Sequence, residues 1–317
     1  MKKLLFIFWF PFVLLGQSFE DQMTQLIADK SYKKVEVKAL EVLQSSPEDV
    51  VALEFYGDAL AYQHQWDKAI EIYKQLVAKN DQSANYHYKY GGALGMKALK
   101  VSKLRALGMI GDIKTAFITA AQLDPQHIDT RWALVEYYIQ MPGIIGGSKA
   151  KALQYANELE QLSLVDGYLA KGYIHEYDDE PKLAENYFKK AIMVGGSLTC
   201  FQKLTDFYEK ENRPEEAINN IETAYKNHSR NALHYQIGKV CADYNVQLDK
   251  GERCLKAFIK NHSAKDGVPI EWAYFRLAQI YKNRINKTEA LNWINKAIAV
   301  RMDFEQALEE KEKILRL

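Results

Sequence analysis

Apolar residues recur three and four positions apart along most of this chain. That spacing places them on one face of an α-helix. The pattern itself repeats about every 34 residues. From Gly172 through Ala184, Phe188 and Ala191 to Gly196 the steps are 12, 4, 3 and 5 residues, with Tyr168 preceding them. The same rhythm returns as Leu53, Tyr56, Gly57, Leu60, Ala69, Tyr73 and Leu76, and as Phe201, Leu204, Tyr208, Ala217, Ile221 and Ala224. It returns again as Tyr274, Leu277, Ala278, Tyr281, Ala290, Ile294 and Ala297. Weaker copies begin near Phe19 and near Asn231; in the latter Gly238 takes the small position and one extra residue precedes Leu255. Ser45-Ser46-Pro47, Asp124-Pro125, Gly195-Gly196 and Asn212-Arg213-Pro214 supply the turns between helices. Each period therefore predicts two antiparallel helices, and a period of this length marks a helix-turn-helix solenoid.

Within each period small residues fall at positions 8, 20 and 27, and large ones at 4, 7, 11 and 24. In this the chain resembles the tetratricopeptide-repeat family over most of its length. The resemblance implies an all-α, right-handed α-solenoid of about eight helix pairs. The repeats would run near 17–49, 50–83, 84–127, 128–164, 165–197, 198–230, 231–266 and 271–302, within an array spanning 17–302. Residues 303–317, charged on one side and apolar on the other, read as a capping helix over the last repeat. Proteins of this architecture are usually surfaces that hold partners. Two units depart from the family. The third is about ten residues too long within Lys97–Asp112, a basic segment (Lys97, Lys100, Lys103, Arg105) with no carboxylate before Asp112. The fourth carries about five extra residues around Met141–Ser148. Insertions in a solenoid map to loops or lengthened helices, often at the functional face.

Residues 1–16, MKKLLFIFWFPFVLLG, read as a signal peptide: Lys2 and Lys3, then an apolar run from Leu4 to Leu15, then the small Gly16. The run is short for a bilayer span, and no cysteine nearby could carry a lipid. The expectation is a protein of the periplasm or the cell exterior, with no stable membrane insertion after cleavage. The 42 basic and 41 acidic side chains nearly cancel, which disfavours a nucleic-acid partner. Of the three cysteines, Cys241 and Cys254 fall on paired helices, within reach of a disulfide; the simpler reading is three small buried hydrophobes.

Candidate binding residues come from first-helix positions 2, 5, 9, 12 and 13, which line the concave face in the family the chain resembles. They are Tyr88, Trp132, Leu169, Tyr173, Tyr235, Trp272 and Phe275, interleaved with Glu54, Asp58, Glu136 and Lys239. Aromatic rings give rigid contact area and dominate binding hot spots. The expected partner is a protein or peptide. One step of helix rotation would instead bury several of these rings, Trp132 among them. A second candidate is an anion nest at Gly146, Gly147, Ser148 and Lys149, where backbone N–H groups at a helix start could cradle a carboxylate or phosphate. Its alternative is an ordinary turn closed by a serine cap. Arg131, at a position normally large and apolar, is expected to be exposed on a slightly rotated helix. The asparagine at position 9 by which some chaperone cofactors of this family grip a carboxylate is missing. The seven histidines form no HExxH or HxxxH pair, and no nucleophile elbow or Walker motif appears, so no enzyme, cofactor or metal is expected. The competing function is a small-molecule carrier, in which the lengthened middle repeats close a pocket around Tyr88, Trp132 and Tyr173. It rests on a short likeness to the helical accessory component of tripartite solute transporters.

Overall fold

The computed structural model describes residues 18–317; the signal peptide read at residues 1–16 lies outside the described residues. Two compact units divide the chain after Tyr137. The first holds α1 (Phe19–Ala28), α2 (Tyr32–Ser45), α3 (Val50–Tyr62), α4 (Trp66–Lys79), α5 (Ala84–Ala98), α6 (Lys103–Leu107), α7 (Ile110–Leu123) and most of α8 (Ile128–Gln140). The second holds the end of α8, α9 (Lys149–Leu162), α10 (Leu164–Tyr177), α11 (Pro181–Gly195), α12 (Leu198–Lys210), α13 (Pro214–His228), α14 (Asn231–Tyr244), α15 (Leu248–Lys260), α16 (Ile270–Asn283), α17 (Lys287–Val300) and α18 (Glu305–Leu315). The helices pack in consecutive pairs: α1 with α2, α3 with α4 and α5 with α7 in the first unit, then α10 with α11, α12 with α13, α14 with α15 and α16 with α17 in the second. The insertion in the third repeat forms the short α6, set between the two helices of its pair.

Local chemistry fixes where the helices start and turn. Ser18, Asp49, Ser83, Ser163 and Ser197 each accept the N3 backbone N–H of the first helix that follows. Pro181 and Pro214 open α11 and α13, where a missing N–H removes no helical bond. The turn inside six pairs passes through a left-handed residue: Lys30, His64, Asp179, Asn212, Asn245 and Ile285, with φ between 55° and 60°. One turn geometry is thus repeated with different side chains.

The pairs close on a contact between a side-chain-free notch and a large residue. A methyl placed at Gly57 would lie 2.7 Å from the Tyr73 ring, one at Gly172 2.6 Å from the Phe188 ring, and one at Gly238 2.3 Å from Leu255 Cγ. Ala69, Ala184, Ala217 and Ala290 on the second helices are fully buried, which keeps the backbones close. Successive pairs then share cores. Leu53, Leu60, Tyr73, Leu76 and Ala93 form one in the first unit. In the second unit Tyr235, Leu255, Phe258, Ala273 and Leu277 form another. α18 caps that unit: its Ala307 and Ile314, with Phe304, complete the cluster of Ile294 and Ala297.

Two glycines separate packing from propensity. Gly172→Leu drives atoms into the Phe188 ring and is expected to lower stability by about 3 kcal/mol, as overpacked cores do. A methyl at Gly92 meets nothing within 4 Å, so Gly92→Ala inside α5 is expected to raise stability by about 0.5–1 kcal/mol. Thermal or urea unfolding of both variants checks the pair; an unchanged midpoint for Gly172→Leu would refute the notch.

Candidate functional site

Within each unit, polar groups on the first helices are joined across successive pairs. In the first unit Glu54 and Asp58 lie one turn apart on α3. Lys89 of α5 bridges them at 2.6 and 2.7 Å. Asn85 donates to Glu54 at 2.8 Å and the Tyr73 hydroxyl to Asp58 at 2.7 Å. Burial pulls the Lys89 pKa down, but the two carboxylates outweigh it and hold the ammonium above its ordinary value. In the second unit Gln140 donates to the Tyr173 hydroxyl at 2.7 Å, Lys210 to Glu176 at 3.0 Å, Gln236 to Gln202 at 2.9 Å and Lys239 to Glu209 at 2.6 Å. Arg276 with Asp243, and Lys282 with Glu310, continue the series.

Several residues expected on the concave face lie elsewhere. Leu169, Tyr235 and Phe275 are 7%, 9% and 6% exposed and belong to the core. Tyr235 packs on Phe258 with ring centres 5.6 Å apart, and Phe275 on Phe304 at 5.5 Å. Trp272 is half-buried and wedged edge-on against Phe304 at 4.6 Å. Tyr235 thus turns onto the second helix of its own pair, while Trp272 and Phe275 turn onto Phe304 at the start of the cap. In the first unit Tyr88 is half-buried, its ring 5.1 Å from His127, while Trp132 is half-buried and Glu136 exposed. Burial, then the charges of Asp129 and Glu136, raise the Tyr88 pKa. In the second unit Tyr173 is half-buried.

The expected anion nest is already occupied by the protein itself. The Gly146 N–H donates to Gly143 O, that of Gly147 to Pro142 O and that of Ser148 to Tyr138 O. The Ser148 side chain caps α9 through the Lys151 N–H, and Lys149 pairs with Asp178 and Glu180. The loop is therefore a self-satisfied turn closed by a serine cap. Arg131 is also corrected: it is 4% exposed, donating to the Asp124 and His127 carbonyls at 3.0 and 3.2 Å. The guanidinium closes the carbonyl end of α7. The cysteines are free thiols; burial pushes Cys241 up to about 12.

A cleft of about 460 Å³ opens in the second unit between the start of α12, the end of α13 and the start of α14. Phe201, Ile221 and Leu233 give it apolar lining, the paired amides of Gln202 and Gln236 lie along it, and Arg230 and Lys265 supply positive charge. Asp266 answers part of that charge, held by Asn231 at 3.1 Å. None of Tyr88, Trp132 or Tyr173 lines it. The aromatic bias of the sequence reading missed these residues; Gln202 and Gln236, 34 positions apart, were the available signal. No group of histidine, cysteine or carboxylate side chains among the described residues is arranged to hold a metal ion.

No protein-family model matches the chain, and no curated protein does. Among solved structures it is similar to a tetratricopeptide repeat protein from Parabacteroides merdae, with a TM-score of 0.50 and 13% identity over 95% of this chain and 100% of that one. Yeast Tom70 is similar with a TM-score of 0.54 and 16% identity, over 83% of this chain and 52% of Tom70. The chain has the tetratricopeptide-repeat fold, an all-α solenoid of consecutive helix pairs. Among the described residues no helix is long and apolar enough to cross a membrane.

One electrostatic unit occurs twice in the second unit. Glu185 of α11 holds Lys189 at 2.6 Å, the Tyr208 hydroxyl at 3.0 Å and Arg213 at 2.6 Å. Glu252 of α15 holds Lys256 and the Tyr281 hydroxyl, each at 2.6 Å, together with Arg284. Burial raises both carboxyls, but these partners outweigh it and hold each at about 2, below the ordinary 4.5. The pKa is depressed in the fold, so the stabilisation is full above about pH 4.5 and fades as pH falls through about 2. Glu185→Gln with Glu252→Gln is expected to flatten the acid limb of a stability-against-pH profile between those values. An acid limb identical to the parent's would remove both tetrads from the account.

Proposed function

We propose that the chain is an exported scaffold that holds a peptide segment of a partner protein on its first-helix face, anchored in the α12–α14 cleft. The observation that carries this reading is the cleft itself. An apolar floor takes a side chain, primary amides hydrogen-bond an extended backbone, and Arg230 with Lys265 favours an acidic side chain or carboxylate. Tyr173 within the same unit, and Tyr88, Trp132 and Glu136 within the first, are proposed as further contacts. The tetratricopeptide-repeat fold supports the reading, being an architecture of partner-binding surfaces. Export rests on the signal-peptide pattern of residues 1–16. The second reading, a carrier of a small organic acid, has the cleft volume in its favour, since small-molecule pockets begin at about 300 Å³.

Peptides selected from a random library against the purified protein are expected to carry an apolar residue near an acidic one. Arg230→Ala with Gln236→Ala should weaken them at least about tenfold, roughly 1.4 kcal/mol, without moving the unfolding midpoint. Unchanged affinity would remove the cleft as the anchor. A library that yields no binder, with an organic acid retained in native mass spectrometry, would favour the carrier. N-terminal sequencing of protein from its native host is expected to begin at Gln17; a chain starting at Met1 in the cytosolic fraction would refute export.

A further inference from the structure

The insertion in the third repeat carries charge and apolar surface that the peptide-binding reading does not use. Met96, Leu99, Leu104 and Leu107 are 40%, 70%, 81% and 48% exposed, four large apolar side chains within one short stretch. Met96 and Leu99 stand three apart at the end of α5, and Leu104 and Leu107 three apart on α6, so each pair shares a helix face. Burial of such side chains is favourable, and clusters of them on a surface mark sites of contact. The charge within the segment itself has a single sign. From Gln82 to Gly111 the chain has no aspartate or glutamate, although acidic and basic residues balance overall. Lys89 is joined to Glu54 and Asp58, and Lys97 to Asp67. Lys100, Lys103 and Arg105 are exposed and make no ion pair among the described residues.

Apolar side chains interleaved with unpaired cations are the chemistry of an interfacial membrane anchor. The leucines enter the boundary between headgroups and acyl chains, and the cations meet anionic headgroups. An isolated apolar contact would not need three cations, and a purely electrostatic contact would not need leucines exposed beside them. We infer that the α5–α6 insertion docks the first unit on an anionic lipid surface, reversibly and without spanning it. The inference is independent of the cleft reading, because none of these residues lines the cleft.

The test is co-sedimentation of the full chain with vesicles of phosphatidylcholine alone or with one quarter phosphatidylglycerol. Binding is expected to be at least about fivefold stronger to the anionic vesicles and to fall with added salt. The triple variant Lys100→Gln, Lys103→Gln, Arg105→Gln, and separately Leu104→Ser with Leu107→Ser, should each lower that binding at least about fivefold with unchanged unfolding midpoints. A Leu104→Trp reporter should shift its emission to the blue on anionic vesicles. Equal binding by parent and variants, as an apolar N-terminus would give, overturns the inference. So does an acidic protein captured through these residues with no vesicle binding.

Discussion

The structure depends on one contact: a helix with no side chain at its crossing point receives a large residue from its partner. At Gly57, Gly172 and Gly238 the space of a Cβ is already filled by Tyr73, Phe188 and Leu255. Close approach removes the first helix's freedom to rotate, because the ring fits only over the notch. Once rotation is fixed, the faces that pack the next pair, and the face left for partners, are fixed as well. Where threonine or alanine replaces glycine, at Thr205 and Ala278, the facing residue is the slimmer Ile221 or Ile294, and all four are buried. Tyrosine, phenylalanine and leucine each fill a glycine notch, as a close-packed interior allows.

Between pairs the binding forces are more polar. Groups about one period apart in sequence join neighbouring first helices: Glu54 and Lys89, Glu176 and Lys210, Gln202 and Gln236, Asp243 and Arg276. Each pair is partly exposed and adds little alone. Their number resists sliding of one pair on the next, because a shift along the helix would break several together. Glu185 and Glu252 do similar work at the backs of their pairs, each gathering a lysine, a tyrosine and an arginine from successive elements.

The helix pairs were legible because their cause is local and periodic. Small residues at 8 and 20 and large ones at 24 recur where the crossing recurs, and in the third repeat, despite its insertion, Phe117 lies against Gly91. The binding face was less legible, for a geometric reason. Adjacent positions on a helix are separated by 100°, so a groove residue and a seam residue differ by a single step. Tyr235 and Phe275 look alike in sequence whether they face a partner or the core; the buried Phe258 and Phe304 opposite them decide it. The glycine loop misled differently. Its composition allowed an anion nest, but whether an N–H is free depends on where the carbonyls of Tyr138, Pro142 and Gly143 fall, which composition does not encode. Arg131 shows the same limit, since one carbonyl it meets, that of Asp124, stands at the end of the preceding helix.

The polar joints constrain where recognition can occur. A carboxylate already bridged by a lysine, as Glu54 and Asp58 are, can meet a new partner only by giving up that bridge, so an incoming charge gains little there. Recognition by charge then falls to cations that the joints leave over. In the second unit these include Arg230 and Lys265 around an apolar-floored cleft, with Asp266 as partial counterweight. In the first unit they include Lys100, Lys103 and Arg105, on the insertion that separates α5 from α7. Where a charge at a periodic position is paired, its partner often stands about one period away, as in Glu54–Lys89, Glu176–Lys210 and Asp243–Arg276. An insertion has no such neighbour, and the cleft sets Arg230 and Lys265 beside the Gln202–Gln236 joint. The insertion and the cleft therefore stand out by combining exposed cations with shapes that a partner could use.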